Sequence, residues 1–265
     1  MRALSILVFT ALTFFTSNAQ AVLLGATSRD PNGLRRSVVS IENSSGELCS
    51  GALIGPGLVL TAAHCVTDTA TYRVVGVNKA FRPQRVGVIA LAVHPSFVTG
   101  TTPRTQPGVD LAILLLERPL GGDFLPLDPS LSGRIDVGDD VTIAGFGVSN
   151  ESLKGTARVL RQANLVSLGP IKVANRVLIV ADRERLAETS GAGACRGDSG
   201  GPILAATQNS YLLYGIVSWS SGALRSRGTS ACGGLTAVTP LIEHLGWIRQ
   251  AVASLTARNG AWARH

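Results

Sequence analysis

Short apolar runs separated by turn-forming residues set the pattern of this 265-residue chain. Some runs alternate apolar and polar positions, others are apolar throughout, and Gly, Pro, Asn, Asp and Ser stand between them. Many short runs at this spacing are typical of antiparallel β-strands in a sandwich or barrel. The pattern predicts an all-β fold, with strands over residues 38–41, 52–54, 58–60, 86–93, 111–116, 141–144, 177–180 and 212–218.

One helix is predicted near the C-terminus, over residues 240–256. Pro240 suits a first helical turn, and the apolar residues after it recur at helical spacing: Leu241, Ile242, Leu245, Ile248 and Val252. The Gly-Gly and Asp-Pro stretch within residues 120–130 is the best candidate for a linker. We therefore expect two domains, over residues 22–125 and 126–265.

The first 21 residues combine Arg2, an apolar stretch over residues 4–15 and the sequence Ala19-Gln20-Ala21. These are the three parts of a secretory signal peptide, and the apolar part is too short for a membrane span. A buried N-terminal helix is the alternative. We expect cleavage after Ala21 and a secreted protein without a membrane anchor, extracellular or, in a Gram-negative source, periplasmic.

Composition narrows the classes of partner. The chain is 45% hydrophobic and only 15% charged, as in a compact fold, and its formal net charge is +7. Its arginines are scattered, without a basic block or interleaved aromatic residues, so nucleic-acid binding is not expected. The basic excess either favours acidic substrates and surfaces or is simply a solvated face.

The four cysteines predict two disulfides, as is usual in an exported protein. Three connectivities are possible, and the spacings match no CxxC metal site. Because Cys49 and Cys65 lie early in the chain and Cys195 and Cys232 late, we expect pairing within each half.

The segment ACRGDSGGPI, residues 194–203, has two incompatible interpretations. Arg196-Gly197-Asp198 spells RGD, which on an exposed loop is an integrin ligand. The overlapping GDSGGP is the setting of an activated serine, Ser199, in one class of hydrolases. The adhesion ligand needs Asp198 in solvent, whereas the hydrolase buries it.

A serine hydroxyl becomes a nucleophile only when an oriented base takes its proton. His64 is the best candidate for that base, since it follows a predicted strand and adjoins Cys65. A lone histidine there is more often structural, and we interpret His94, His244 and the C-terminal His265 in that way.

Asp110 is the only acidic residue between Asp68 and Glu117, and a wholly apolar strand follows it. A carboxylate at the start of a buried strand is costly unless it is hydrogen-bonded or paired. Orienting an imidazole would provide that partner, and a strand-end turn is the alternative.

The segments TAAHC, DLAILLLE and GDSGGP, in this order, resemble the three active-site segments of the trypsin/chymotrypsin-like serine peptidases. The similarity extends to CSGALI, AGFG, GIVSWS and LGWIRQ, and so covers nearly all of the chain after residue 21. It implies two six-stranded antiparallel β-barrels with a C-terminal helix and an active site in the cleft between the barrels.

The resemblance assigns a role to each matching position. Ser199 corresponds to the nucleophile, His64 to the general base and acid, and Asp110 to the carboxylate that fixes the tautomer of His64. The backbone amides of Gly197 and Ser199 correspond to the oxyanion hole. Ser218 corresponds to the residue that supports the aspartate.

The specificity pocket that the resemblance implies is lined by Gly193, Ala194, Ser218, Trp219, Ser220 and Gly233 or Gly234. Members that cleave after Lys or Arg carry an aspartate where this chain has Gly193. Arg225 and Arg227 lie near the rim, and Glu188 is too far upstream to replace that aspartate. We expect cleavage after uncharged, apolar residues, with Ser220 limiting the largest side chains.

The chain also departs from the family. The usual third disulfide of the second barrel has no cysteines, Cys232 comes several residues late, and the lack of acidic residues between Asp68 and Asp110 argues against the calcium loop.

Removal of the signal peptide would leave Val22-Leu23-Leu24-Gly25, which resembles the family's mature N-terminus. Arg35-Arg36 lies too near Cys49 to be an activation site. We expect the Val22 ammonium to pair with Asp198 and to order the oxyanion loop. Leu24 stands where a glycine is usual, and an inactive zymogen geometry is the alternative.

The sequence therefore predicts a secreted serine endopeptidase. An adhesion ligand, a catalytically inactive homologue that binds partners, and an esterase are the alternatives. We expect a monomer with polypeptide substrates, a proteinaceous inhibitor as a second class of partner, and no cofactor or metal.

Overall fold

The computed structural model describes residues 25–28, 33–67, 69–153, 155–208, 210–225 and 230–259. The predicted signal peptide, Val22, Arg227 and His265 lie outside these ranges. No helix in them is long and apolar enough to cross a membrane.

The first barrel closes in the order β2-β3-β4-β7-β6-β5, with every pair antiparallel. Its central strand β7 is apolar throughout because both of its faces are buried. Leu114 and Leu116 point into the barrel, whereas Ile113 and Leu115 join a separate cluster outside it. The strands are β2 (Val38–Asn43), β3 (Leu48–Gly55), β4 (Leu58–Thr61), β5 (Tyr72–Val77), β6 (Pro83–Val93) and β7 (Ala112–Leu116).

The second barrel closes in the order β8-β9-β10-β13-β12-β11, again with antiparallel pairs. Its interior is filled by β-branched and other aliphatic side chains, among them Ile143, Leu165, Val180, Ile203 and Val238. The strands are β8 (Asp140–Gly145), β9 (Arg161–Lys172), β10 (Arg176–Ala181), β11 (Pro202–Ala206), β12 (Tyr211–Ser220) and β13 (Thr236–Pro240). The predicted pair of six-stranded barrels is confirmed.

The observed helix α1 (Leu245–Asn259) begins five residues later than the prediction. Pro240 is the last residue of β13, opposite Gly215, because residues 236–239 are buried in the barrel and pairing with β12 takes precedence over a helical turn. Ile248, Ala251 and Leu255 of α1 are buried with Ile113 and Leu115 of β7. The helix therefore covers the first barrel, although it follows the second in the chain.

The N-terminal end of the described chain lies against the second barrel, although it precedes the first barrel in the sequence. The two-residue strand β1 (Ala26–Thr27) pairs with β9 of the second barrel, with Ala26 opposite Gln162 and Thr27 opposite Arg161. Residues 26 and 27 therefore pair with the second barrel, although the predicted limits place them in the first domain. The predicted linker, residues 120–130, lies between β7 and β8 and includes a 3-10 turn at Pro129–Leu131.

Two disulfides pair Cys49 with Cys65 and Cys195 with Cys232, within each half of the chain as expected. The first joins β3 to a 3-10 turn at Ala63–Cys65, which follows β4. The second joins the loop before β11 to the loop before β13. Both disulfides thus fix loops at the ends of strands.

Candidate active site

His64 and Asp110 come together where β4 ends and β7 begins. Asp110 is completely buried and accepts two hydrogen bonds from His64, from Nδ1 to Oδ2 at 2.8 Å and from the backbone N–H to Oδ1 at 3.0 Å. The Ser218 hydroxyl donates a third, to Oδ2 at 2.5 Å. These partners favour the histidine-orienting interpretation of Asp110 over a simple strand-end turn.

The pKa of Asp110 reflects two opposed effects. Burial alone would raise it, but the charge and hydrogen bonds of His64, with the bond from Ser218, outweigh burial and hold the pKa below its usual value. Asp110 is therefore an anion, which accepts the Nδ1–H of His64 and leaves Nε2 as the proton acceptor.

Ser199 and His64 line the same cleft, whose volume is about 510 Å³. Within the described part of the chain, no hydrogen bond joins the Ser199 hydroxyl to His64, and the histidine Nε2 lies 3.8 Å from Cys65 Sγ. Catalytic hydrogen bonds are often long or misaligned without substrate and tighten when substrate binds. The structure thus places Ser199 and His64 in one cleft, with Asp110 buried behind His64. Of the two hydrogen bonds expected among the three residues, it forms the one between His64 and Asp110.

The loop that carries Ser199 is held by contacts from both barrels. The Ser50 amide donates to the Ser199 carbonyl at 2.8 Å, and the Gly200 amide donates to the Val217 carbonyl at 2.7 Å. Gly200 has φ +79°, and a Cβ there would lie 2.0 Å from Thr61 Oγ1. Only glycine fits this position, which explains the residue after the serine in the GDSGGP motif.

The backbone amides of Gly197 and Ser199 have no hydrogen-bond acceptor among the described residues. Both residues line the cleft, so these donors are available to a bound group. The Ser50 hydroxyl, itself bonded by the Phe146 amide at 2.9 Å, donates to the Gly197 carbonyl at 2.8 Å. Sequence reasoning missed this role of Ser50, for which the only signal was its place in CSGALI.

Asp198 is completely buried beneath the same loop. One of its oxygens accepts the Gly147 amide at 2.9 Å and the other the Cys195 amide at 3.0 Å. Burial raises the pKa of Asp198 to about 7, against the amide hydrogen bonds and the nearby charge of Arg161. The RGD tripeptide therefore cannot act as an adhesion ligand in this fold, because its carboxylate does not reach the surface.

The predicted pocket residues also lie together. The Gly233 amide donates to the Ala194 carbonyl at 2.9 Å, and the Ala194 amide donates to Thr236 Oγ1 at 3.1 Å. A Cβ at Gly193 would lie only 3.1 Å from the Gly233 Cα. Ser218 and Ser220 lie at the end of β12. The Ser220 hydroxyl donates a hydrogen bond to the Ala231 carbonyl.

Charged residues around this region are paired in ways that the sequence did not suggest. Glu151 binds the Arg196 guanidinium and accepts the Ala231 amide at 3.2 Å, so it joins three loops. Glu188 pairs with Arg225 at 3.3 Å rather than serving the pocket.

Cys49, His64 and Cys65 are close enough to suggest a metal site. The two cysteines form a disulfide, so they offer no thiolate ligands.

Comparisons with known proteins agree with this geometry. The family model described as Trypsin matches residues 25–244. The chain is 31% identical over 195 residues to tryptase of Mus musculus, an alignment that covers 66% of this chain and 69% of the relative. It is 27% identical over 273 residues to chymotrypsin-like elastase family member 1 of Bos taurus, covering 95% of this chain and 99% of the relative.

Two further similarities are more limited in scope. Serine proteinase stubble of Drosophila melanogaster is 30% identical over 228 residues, which cover 76% of this chain but only 28% of that longer protein. Among solved structures, human heparin binding protein has a TM-score of 0.65 and 20% identity, covering 87% of this chain and 96% of that one. The structural match concerns the fold alone.

Proposed function

The chain belongs to the trypsin family of serine proteases, and we propose from this premise that it is a secreted endopeptidase that cleaves polypeptides through an acyl-enzyme on Ser199. In this reaction the Ser199 oxygen attacks the scissile carbonyl while His64 Nε2 takes the hydroxyl proton. His64 then gives that proton to the leaving amine as the C–N bond breaks. Water then attacks the acyl-enzyme ester while His64 takes its proton. Return of that proton to the Ser199 oxygen releases the carboxylic acid product and restores the serine.

Asp110 holds His64 in the tautomer that the first step requires. Its buried carboxylate accepts Nδ1–H, so the lone pair of Nε2 is left to accept the serine proton. It also stabilises the imidazolium that forms. The single observation that carries the proposal is this buried carboxylate, bonded by Ser218 and by His64, which lines the same cleft as Ser199.

The amides of Gly197 and Ser199 stabilise the oxyanion of the tetrahedral intermediate. Loss of one such donor typically lowers the rate by roughly 10²–10³-fold. Their lack of acceptors among the described residues supports this role, as does the Ser50 hydroxyl, which holds the Gly197 carbonyl on the far side of the loop.

Substrates carry an uncharged, apolar residue before the scissile bond. Support comes from Gly193, where a side chain would crowd Gly233, and from the absence of any carboxylate among the pocket residues named above. Cleavage-site profiling on a peptide library tests this preference. A profile dominated by Lys or Arg before the scissile bond would contradict it.

Removal of the signal peptide activates the enzyme by freeing the Val22 ammonium to pair with Asp198. The register of β1 supports this idea, since Thr27 lies opposite Arg161, whose charge acts on Asp198. Val22 lies four residues before Ala26, a reach of about 13 Å in extended chain. Without that cation, a buried carboxylate would oppose the ordered oxyanion loop.

Labelling with a fluorophosphonate probe tests the proposal against an inactive, partner-binding homologue. We expect the mature protein to be labelled on Ser199, and labelling to disappear in Ser199→Ala and to fall strongly in His64→Ala. Absence of labelling in well-folded mature protein would favour the binding role. Matched peptide and ester substrates, assayed side by side, separate a peptidase from an esterase.

A further inference from the structure

The loop between β6 and β7 has a fixed shape, set by one buried amide side chain. Gln106 Oε1 accepts the amides of Val98 and Gly108, at 3.0 and 2.8 Å. Its Nε2 donates to the Val98 carbonyl at 2.9 Å and to Thr101 Oγ1 at 2.7 Å. Asn175 of the second barrel also donates to the Gly108 carbonyl, at 2.6 Å. These hydrogen bonds therefore fix the positions of the residues at the tip of the loop.

Arg104 extends from this loop across to the second barrel. Its guanidinium carbon lies 5.1 Å from the centre of the Trp219 ring, and Nη2 donates to the Ser220 carbonyl at 3.1 Å. The side chain thus lies over the end of β12 while it remains exposed to solvent.

The Ser220 carbonyl belongs to an open strand edge. The Ser221 amide bonds to the Leu235 carbonyl on the β13 side. Because alternate residues of an antiparallel pair direct their backbone groups to opposite sides, Ser220 directs its N–H and C=O away from β13. On that side β11 pairs with β12 only as far as Ile216, and no other described strand covers residues 218–220.

This open edge begins at the catalytic residues, since the Ser218 hydroxyl is bonded to Asp110. An extended peptide can add to such an edge as a further strand. With the residue before the scissile bond opposite Ser218, the second and fourth residues before that bond place their side chains on the Trp219 face. That face is where Arg104 lies.

Arg104 also differs from the arginines that line the cleft. Arg158 pairs with Glu42 at 2.7 Å, and Arg196 pairs with Glu151. No carboxylate of the described residues lies within ion-pairing distance of Arg104. Its charge therefore remains available to a ligand at the substrate edge.

We propose that Arg104 is a specificity-determining residue that selects an acidic side chain two or four residues before the scissile bond. On binding, the substrate's backbone N–H takes over the Ser220 carbonyl, and the guanidinium turns to the substrate carboxylate. This inference rests on the proposed function, since it names a feature of the substrates of that same site.

The test uses the mature enzyme and peptides that are identical except for Asp, Asn or Lys at each of the two positions. The variants are Arg104→Gln, Arg104→Lys and Arg104→Glu, with Arg82→Gln at the exposed β5–β6 turn as the matched control. We expect kcat/KM for Asp over Asn to be about three- to fivefold in native, control and Arg104→Lys enzymes, the ratio of one partly exposed ion pair. In Arg104→Gln the Asp-over-Asn ratio should be about one. In Arg104→Glu the peptide with Lys should have the highest kcat/KM.

The proposal is overturned if the native enzyme has an Asp-over-Asn ratio of one at both positions. It is also overturned if an Asp preference persists in Arg104→Gln. So does an equal fall of kcat/KM on all peptides, because that result would mean that Arg104 only braces β12. If the native protein cleaves no peptide, the proposed function fails separately. The same peptides titrated into Ser199→Ala protein then test Arg104, with a Kd ratio for Asp over Asn that is lost in Arg104→Gln supporting it and an unchanged ratio refuting it.

Discussion

Two residues added ahead of Val22 should leave Asp198 buried without its cation. In that state the pKa of Asp198 is about 7, compared with an ordinary value of 3.8, because burial penalises the charged form. The difference is about 3 pH units, or about 4 kcal/mol at ~1.36 kcal/mol per unit. Between pH 4 and 7 the folded extended protein binds more protons than the unfolded chain, so its stability falls as pH rises.

The assay compares mature protein, which begins at Val22, with protein that begins with Ser-Ala-Val22. Thermal unfolding is followed from pH 4 to 8, together with hydrolysis of a peptide substrate. At pH 8 we expect the extended protein to melt about 8–16 °C lower and to be nearly inactive, since about 4 kcal/mol is lost at ~2–4 °C per kcal/mol in a chain of this size. The mature protein, with the ion pair, should not lose stability as pH rises through this range.

Asp198→Asn in the extended protein is the matched control. It removes the titrating charge, so the fall in stability between pH 4 and 7 should disappear, while activity should not return. Full activity of the extended protein, with the same pH dependence of stability as the mature protein, would contradict the Val22–Asp198 ion pair.

Three further substitutions probe the site and the fold. Asp110→Asn should lower kcat by roughly 10³–10⁴-fold in steady-state assays, because the amide favours the wrong tautomer of His64; a loss below tenfold would contradict this role. Ser218→Ala should lower the free energy of unfolding by about 1–3 kcal/mol in denaturant titrations, because it removes a donor to a buried carboxylate. Burial lowers the pKa of His94, with help from the charge of His244, and burial also lowers that of His244. Stability should therefore fall as pH drops below about 6.5, the usual pKa of histidine, and His94→Phe should reduce that slope.

The residues of the candidate active site could be identified from the sequence because their segments are tightly constrained. Asp110 precedes a strand that is buried on both faces, so its carboxylate needed a partner. Gly200 sits where any Cβ would collide with Thr61. Constraints of this kind leave a local trace in the sequence.

Contacts between distant segments leave no such trace. Arg104 meets Ser220 across 116 positions, and Ser50 meets Gly197 across 147. Both are ordinary polar residues in their own neighbourhoods, and only the docking of the barrels gives them partners.

Secondary structure was missed where tertiary pairing prevailed over local pattern. Strand β9 is interrupted by exposed residues such as Asn164 and Leu168, and β13 overlaps the apparent helix start at Pro240. These segments form strands because they pair with neighbours in a closed barrel, which their local periodicity did not indicate.

Above all, we propose that Ser199 carries an acyl group during hydrolysis. Rapid mixing of mature enzyme with an activated ester, followed by acid quench and mass spectrometry, measures this directly. We expect a burst of about one acyl group per molecule, attached to the peptide that contains Ser199 and absent from Ser199→Ala. Turnover without a burst, or an acyl group on another residue, would contradict it.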